Sequence, residues 1–212
     1  GPRVQAWVGL LAGAYRVSQR NIVTLLADAF GVHLSLGTVS QLEQEVSTAL
    51  AAPTEAALSY VRQQPIVNMD ETGWREHRTK AWLWTAVTPD VTVFVIRRHR
   101  NRAVIDELLG DDNSAIVGSD RYSAYGHLPL SRRQVCWAHL RRTFEDFAAR
   151  RGRAATTGQQ LLTYTDQMFT WWHRVRDGTL QHASFRVYIS HLRPLFYLQL
   201  WEGQQFADAK TA

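Results

Sequence analysis

Cysteine is almost absent: Cys136 stands alone in 212 residues. A single thiol excludes an internal disulfide and any zinc site built on several cysteines. It also agrees with a reducing compartment. No apolar run reaches the ~18–20 residues that a membrane-spanning helix needs. The opening stretch GPRVQAWVGLLAGAY holds one arginine, and no small-residue cleavage pattern follows it, so it does not read as a signal peptide. Internal repeats and low-complexity tracts are missing as well. Apolar material is plentiful: 45% of the chain is hydrophobic, with 8 Trp, 7 Tyr and 8 Phe. That composition excludes global disorder, and the length suits one large domain or a domain with an appendage.

Charge is unevenly spread. Residues 1–65 are neutral, with four arginines against four acids, while residues 66–153 carry fifteen Lys/Arg against eleven acids. The remainder adds five against four, for a net +5. The excess is mostly arginine, whose planar fork suits phosphate. An anionic polymer is therefore a candidate partner, although many proteins this basic bind no nucleic acid.

Residues 3–64 read as helical. SQRNIVTLLADAF (18–30) puts Ile22, Leu25, Leu26 and Ala29 on one helical face, with Ser18 as N-cap and Gly31 as the stop. Ser35 is placed to cap the next helix, LGTVSQLEQEVSTAL, and Pro53 interrupts or restarts the helix that follows. Two short helices joined by a tight turn are either a helix-turn-helix or an ordinary helical hairpin. In the first case Ser35, Thr38, Ser40, Gln41 and Gln44 meet base edges or phosphates. The zero net charge of the segment argues against tight DNA binding by this part alone.

From residue 65 the period changes. PIVNMDETGW, KAWLWTAVT (80–88) and VTVFVIRR (91–98) read as a three-strand antiparallel meander with short connections. NRAVIDELLG (101–110) follows as a helix, capped by Asn101 and ended by Gly110. SAIVGSDRY (114–122) reads as a fourth strand, and RRQVCWAHL (132–140) as a fifth leading into the helix LRRTFEDFAARR. The implied order is β-β-β-α-β-α-β-α, an α/β sandwich in the order of a ribonuclease-H-like fold. Residues 154–212 return to helix, with an expected break at Pro194. Three regions follow: a helical helix-turn-helix-like region over 1–64, an α/β core over 65–153, and a helical segment over 154–212.

Two apolar runs end in a carboxylate, IVNM before Asp70 and IVGS before Asp120. Strand-end aspartates commonly serve as turn formers or helix caps. The repetition on the first and fourth strands favours a second reading. Carboxylates on adjacent strands repel unless a proton or cation bridges them, and Mg²⁺ takes such oxygen ligands. RRHRNR (97–102) is either a solvated turn or a phosphate contact through Arg97, Arg98, Arg100 and Arg102, favoured by the lack of nearby acids in sequence. Arg141 and Arg142 follow the same logic. His139 acts near the site, orders a phosphate or serves a structural hydrogen bond. Cys136 alternates inward on its expected strand and reads as a small packing residue. Trp171 and Trp172 either stack on bases or fill a core.

The blocks NMDETGWREHRTKAWLWTAVT, VGSDRYSAYGHL and RQVCWAHLRRTFEDFA resemble the core of bacterial insertion-sequence transposases of family sixty-six. The stretch SQRNIVTLLADAFGVHLSLGTVSQLEQ resembles that family's helix-turn-helix segment. The likeness is close over about residues 1–150 and looser beyond. It implies a ribonuclease-H-like mixed sheet with two aspartates and a glutamate holding two Mg²⁺ (or Mn²⁺) ions. It also implies cleavage of DNA at the ends of a mobile element and transfer to target DNA. Asp70 and Asp120 match the two aspartates. A homo-oligomer on DNA and a cytoplasmic, nucleoid-associated location follow by the same likeness. The family's glutamate, in an Asn-rich stretch ending Glu-Arg, has no match before Ala212. Glu145 and Glu202 are the substitutes in this chain; otherwise the third acid lies further on and residues 154–212 begin an insertion. A non-catalytic DNA-binding remnant and a nuclease of the same fold, its triad completed by Glu145, are the alternatives.

Overall fold

The computed structural model describes residues 1–76, 78–110 and 114–205. It divides into two compact units, Gly1–Val117 and Gly118–Ala212.

The first unit opens with four helices: α1 (Pro2–Gly13), α2 (Gln19–Phe30), α3 (Leu36–Ala49) and α4 (Ala51–Arg62). Local chemistry sets their ends. The Ser18 hydroxyl accepts from the Asn21 N–H, and Ser35 accepts from the Thr38 N–H at 3.0 Å. Gly31 ends α2 at φ 63°, a left-handed conformation that glycine adopts without steric cost. The buried stripe of α2 is Ile22 and Leu26, flanked by Val23, and these pack with Val8, Leu11 and Val39. Leu25 is exposed and does not join them. The stripe is therefore rotated from the expected one, because tertiary contacts with α1 and α3 choose which side of a broadly apolar helix is covered. Pro53 lies in the first turn of α4, where its missing N–H costs nothing, so it restarts the helix.

The strands are β1 (Ile66–Glu76), β2 (Thr79–Val87), β3 (Thr92–Arg97), β4 (Ile116–Ser119) and β5 (Arg133–Val135), in the sheet order β3-β2-β1-β4-β5. β1, β2 and β3 form the expected antiparallel meander, in register Asp70↔Thr85 and Thr85↔Phe94. Within this unit the Ile116 N–H donates to the Pro65 carbonyl at 2.8 Å, tying the start of β4 to the start of β1. Val67, Met69, Trp84, Ala86 and Val93 are buried on one sheet face, and the helix α5 (Arg102–Leu109) buries Val104, Ile105, Leu108 and Leu109. Phe94 and Ile96 lie on the opposite, exposed face with Asp70. Asn101 occupies the N-cap position of α5, but its side chain makes no capping bond.

In the second unit, 3-10 turns at Ser123–His127 and Leu130–Arg132 occupy the interval between β4 and β5 where an α-helix is expected. The fifth strand is also shorter than expected. It ends at Val135, Cys136 is the N-cap residue, and Trp137–His139 already belong to α6 (Trp137–Ala148). Cys136 is thus half-buried at a helix start and does not alternate along a strand. Trp137, Leu140 and Phe144 explain the change: they carry helical spacing and line one apolar cavity with α8.

Two long helices complete the unit, α7 (Arg153–Arg176) and α8 (His182–Gln204). Pro194 lies inside α8 and does not break it. The lost hydrogen bond and ring clash cost about 3 kcal/mol, offset by packing of aromatic side chains along α8. Trp171 meets Tyr188 at 5.0 Å, Trp172 meets Phe185 at 5.6 Å, and Phe196 meets Trp137 at 5.7 Å. The Trp171-Trp172 pair therefore packs α7 on α8. Residues 206–212, expected to prolong α8, lie outside the described residues.

Candidate functional site

The expectation that Asp70 ends its strand is corrected by the geometry. β1 continues to Glu76, which puts Asp70 in mid-strand. Side chains alternate between sheet faces, so Val67 and Met69 point into the core while Asp70 faces out and is exposed. The Glu71 N–H donates to Asp70 Oδ1 at 3.0 Å, and the Thr85 hydroxyl donates to the Asp70 carbonyl at 3.1 Å. An exposed carboxylate has little burial cost to offset.

The buried carboxylate of this strand is Glu71, which the sequence reading passed over. Its side chain is 0% exposed, and its Oε1 accepts from Arg100 Nε at 2.8 Å. Arg100 also lies over the Trp82 ring, 4.9 Å from its centroid. The Trp84 Nε1–H donates to the His99 carbonyl at 3.2 Å. These contacts fasten the 98–101 loop beside β1 and β2.

The premise that the arginine loop lacks acids is also corrected. Arg97 Nε donates to both Glu107 oxygens at 3.0 and 3.1 Å, and Arg102 Nε donates to Asp106 at 3.0 Å. The Arg97 hydrogen bond holds the Glu107 carboxyl below its ordinary range, against the upward push of burial. Asp106 and Glu107 lie only four and ten residues beyond their arginines, whereas Glu71 comes from β1, 29 residues before Arg100. Arg98 is exposed.

Asp120 follows β4 directly in the second unit. Its Oδ1 accepts from the Tyr122 N–H at 2.8 Å, an Asx turn that aims the chain into the 3-10 segment. Ser119 Oγ and Arg133 donate to the Asp120 carbonyl at 2.9 and 3.4 Å. The Cys136 N–H donates to the Ser119 carbonyl at 2.7 Å and sets the start of α6 next to this turn. Nδ1 of His139 is buried and has no hydrogen-bond partner among the described residues, so the structural hydrogen bond considered for it is not made through that atom.

Of the other candidate residues, Arg141 pairs with Glu145 and Asp166, and Arg142 Nε donates to the Ala138 carbonyl at 3.4 Å. Glu145 is thus engaged by an arginine on its own helix. Glu202 is half-buried near the end of α8. In the helical region Ser35 and Thr38 are joined by the capping interaction, and Gln41 donates to Glu45 at 2.9 Å. Ser40 and Gln44 are exposed on α3.

The donor chemistry suits a hard cation. Asp70 and Asp120 offer carboxylate oxygens only, and Mg²⁺ is commonly held by one or two carboxylates with water and substrate phosphate rather than by a protein cage. Among the described residues no three His, Cys, Asp or Glu side chains group as a cage. No helix among them is long and apolar enough to cross a membrane.

Against known protein families, the model described as "Transposase IS66 family" matches residues 1–199. No curated protein matches the chain.

Proposed function

The chain belongs to the IS66 family of transposases, and from that premise we propose that it carries the two-aspartate part of a DDE-type, metal-dependent DNA strand-transfer centre. The single observation that supports this reading is the sheet order β3-β2-β1-β4-β5, with an aspartate on β1 and another directly after β4. An antiparallel meander whose first strand neighbours the fourth is the arrangement expected of a ribonuclease-H-like core, and α2 and α3 would be a helix-turn-helix upstream of it.

Asp70 and Asp120 would hold the divalent cations. When bound, such ions polarise a phosphoryl oxygen and lower the pKa of water for attack on a phosphodiester. The chain supplies the positioning. Thr85 fixes the Asp70 main chain across the β1–β2 pair, and the Asx turn fixes one Asp120 oxygen at the start of its loop. Glu145, engaged by Arg141 in an exposed pair on its own helix, and Glu202 are the candidates for the third acid within this chain. DNA is the partner, bound by an oligomer of the chain.

The test is nicking and strand transfer on duplex DNA with Mg²⁺ or Mn²⁺. Asp70→Ala and Asp120→Ala are each expected to abolish it. Activity surviving either substitution would remove that residue from the metal site.

A further inference from the structure

Three cations lie at the turn end of the β1–β2 hairpin. Arg75, Arg78 and Lys80 are all exposed, and together with Gly73 and Trp74 they line an open cavity of about 490 Å³. None of the three pairs with a carboxylate among the described residues, in contrast to Arg97, Arg100 and Arg102.

Register makes this arrangement unfavourable without a ligand. Arg75 and Lys80 are directly opposed across the strands. Like charges facing each other in a ladder are destabilising, and a bound anion reverses the sign of that interaction. Aromatic walls flank the cations. Lys80 Nζ lies 5.1 Å from the Trp82 ring centroid, and Arg16 Cζ lies 5.8 Å from that of Trp74. Arg16 reaches there from a left-handed backbone conformation, φ 55°, that a non-glycine residue adopts only at a cost. Position 73 is glycine, and a Cβ there would meet nothing within 4 Å.

We propose that this hairpin end is a DNA-backbone clamp, in which Arg75, Arg78 and Lys80 bind phosphodiester oxygens. The loop Arg97–Arg102 is then mainly structural, since its guanidinium groups serve Glu107, Glu71 and Asp106. The clamp rests on the reading that the chain acts on DNA, but it assigns the contact to a different surface from the one suggested by arginine density in the sequence. Uncompensated, exposed cations release counterions on binding, whereas cations already paired within the protein contribute less.

The experiment is fluorescence anisotropy of a labelled short duplex with the full chain, repeated across a salt series. Relative to wild type, Arg75→Ala/Arg78→Ala/Lys80→Ala is expected to weaken binding at least tenfold. It should also lower the magnitude of the log K against log [salt] slope by about 2–3, from roughly 0.9 per lost phosphate contact. Arg75→Lys/Arg78→Lys keeps the charges and should retain most of the slope. Arg97→Ala/Arg102→Ala should leave the slope within about 1 of wild type. An unchanged slope in the triple variant, with wild-type binding intact, overturns the clamp and leaves the transposase reading standing. No salt-dependent binding by wild type overturns both. A wild-type-to-variant difference seen on anionic lipid vesicles and not on duplex also overturns it.

A second readout is independent of affinity. The chain has two lysines, Lys80 and Lys210. Duplex DNA should protect Lys80 from amine acylation while Lys210 stays reactive; equal reactivity of Lys80 with and without DNA counts against the clamp.

Discussion

Glu71 and Arg100 form an ion pair across 29 residues of sequence, with the carboxylate fully buried and the guanidinium 28% exposed. Removing one partner of a buried pair strands the other charge, at about 3–5 kcal/mol. Arg100→Ala should therefore shift the urea midpoint strongly. Replacing both residues by leucine should cost much less, because an apolar pair of similar volume is often neutral. A loss below about 1 kcal/mol in Arg100→Ala would show that the carboxylate is compensated by other groups.

The Arg97–Glu107 pair gives a pH signature. Its hydrogen bond lowers the Glu107 pKa in the folded state, so its stabilisation is complete above the ordinary carboxyl value. It is lost as pH falls below that value and through the lower folded one. The side chains are 40% and 38% exposed, which limits the effect to under about 1 kcal/mol. The stability difference between wild type and Glu107→Gln should shrink from about pH 6 to about pH 3. A difference that stays constant over that range would mean that ionisation of Glu107 contributes nothing.

Asp120 allows fold and chemistry to be separated. Asparagine retains an oxygen for the Tyr122 N–H, now accepted at 2.8 Å, and alanine does not. Asp120→Asn should melt with wild type and lack nicking, while Asp120→Ala should lose nicking and also about 1 kcal/mol of stability. Equal melting of the two variants would show that the turn does not depend on this acceptor.

Close helix contacts give a third kind of prediction. A Cβ at Gly158 of α7 would lie 2.8 Å from the Phe144 carbonyl oxygen and closer still to the Ala148 nitrogen, both backbone atoms of α6. At Gly9 of α1 the obstruction is the Val46 side chain, at 2.7 Å. Side chains yield more readily than backbone. Gly158→Ala should therefore fall at or above the upper end of the ~1–3 kcal/mol seen for overpacking, and Gly9→Ala lower. Thermal melting of the two variants decides the order.

What the sequence discloses here is short-ranged. Ser18, Gly31 and Ser35 act within three or four residues of themselves, and their capping roles are readable from spacing alone. The β1–β3 meander is readable from its period of two. Errors arise where a distant group decides the outcome. IVNM followed by two acids looks like the end of a strand. Alternation instead carries β1 on through Asp70, and Arg100 makes burial of Glu71 tolerable. RRHRNR holds no acid itself, but Asp106 and Glu107 follow closely in α5, and only Glu71, 29 residues from Arg100, needs the fold to bring it near. WAHL looks extended until Trp137, Leu140 and Phe144 meet α7 and α8. Among the proposed site residues, Asp70 and Asp120 are conspicuous through the apolar runs before them. The hairpin cations are not, because Arg75 and Lys80 become neighbours only once the register is known.

Pro194 has a consequence for motion along α8. A helical amide at that position would donate to the Ser190 carbonyl, and proline has no hydrogen to give. One rung of the ladder is therefore missing, with twelve residues before Pro194 and ten after it in His182–Gln204. The two stretches share a continuous axis but not a continuous chain of hydrogen bonds. Deuterium uptake should register them as two blocks, the later one opening first and carrying the exposed Tyr197, Leu198 and Trp201 with it.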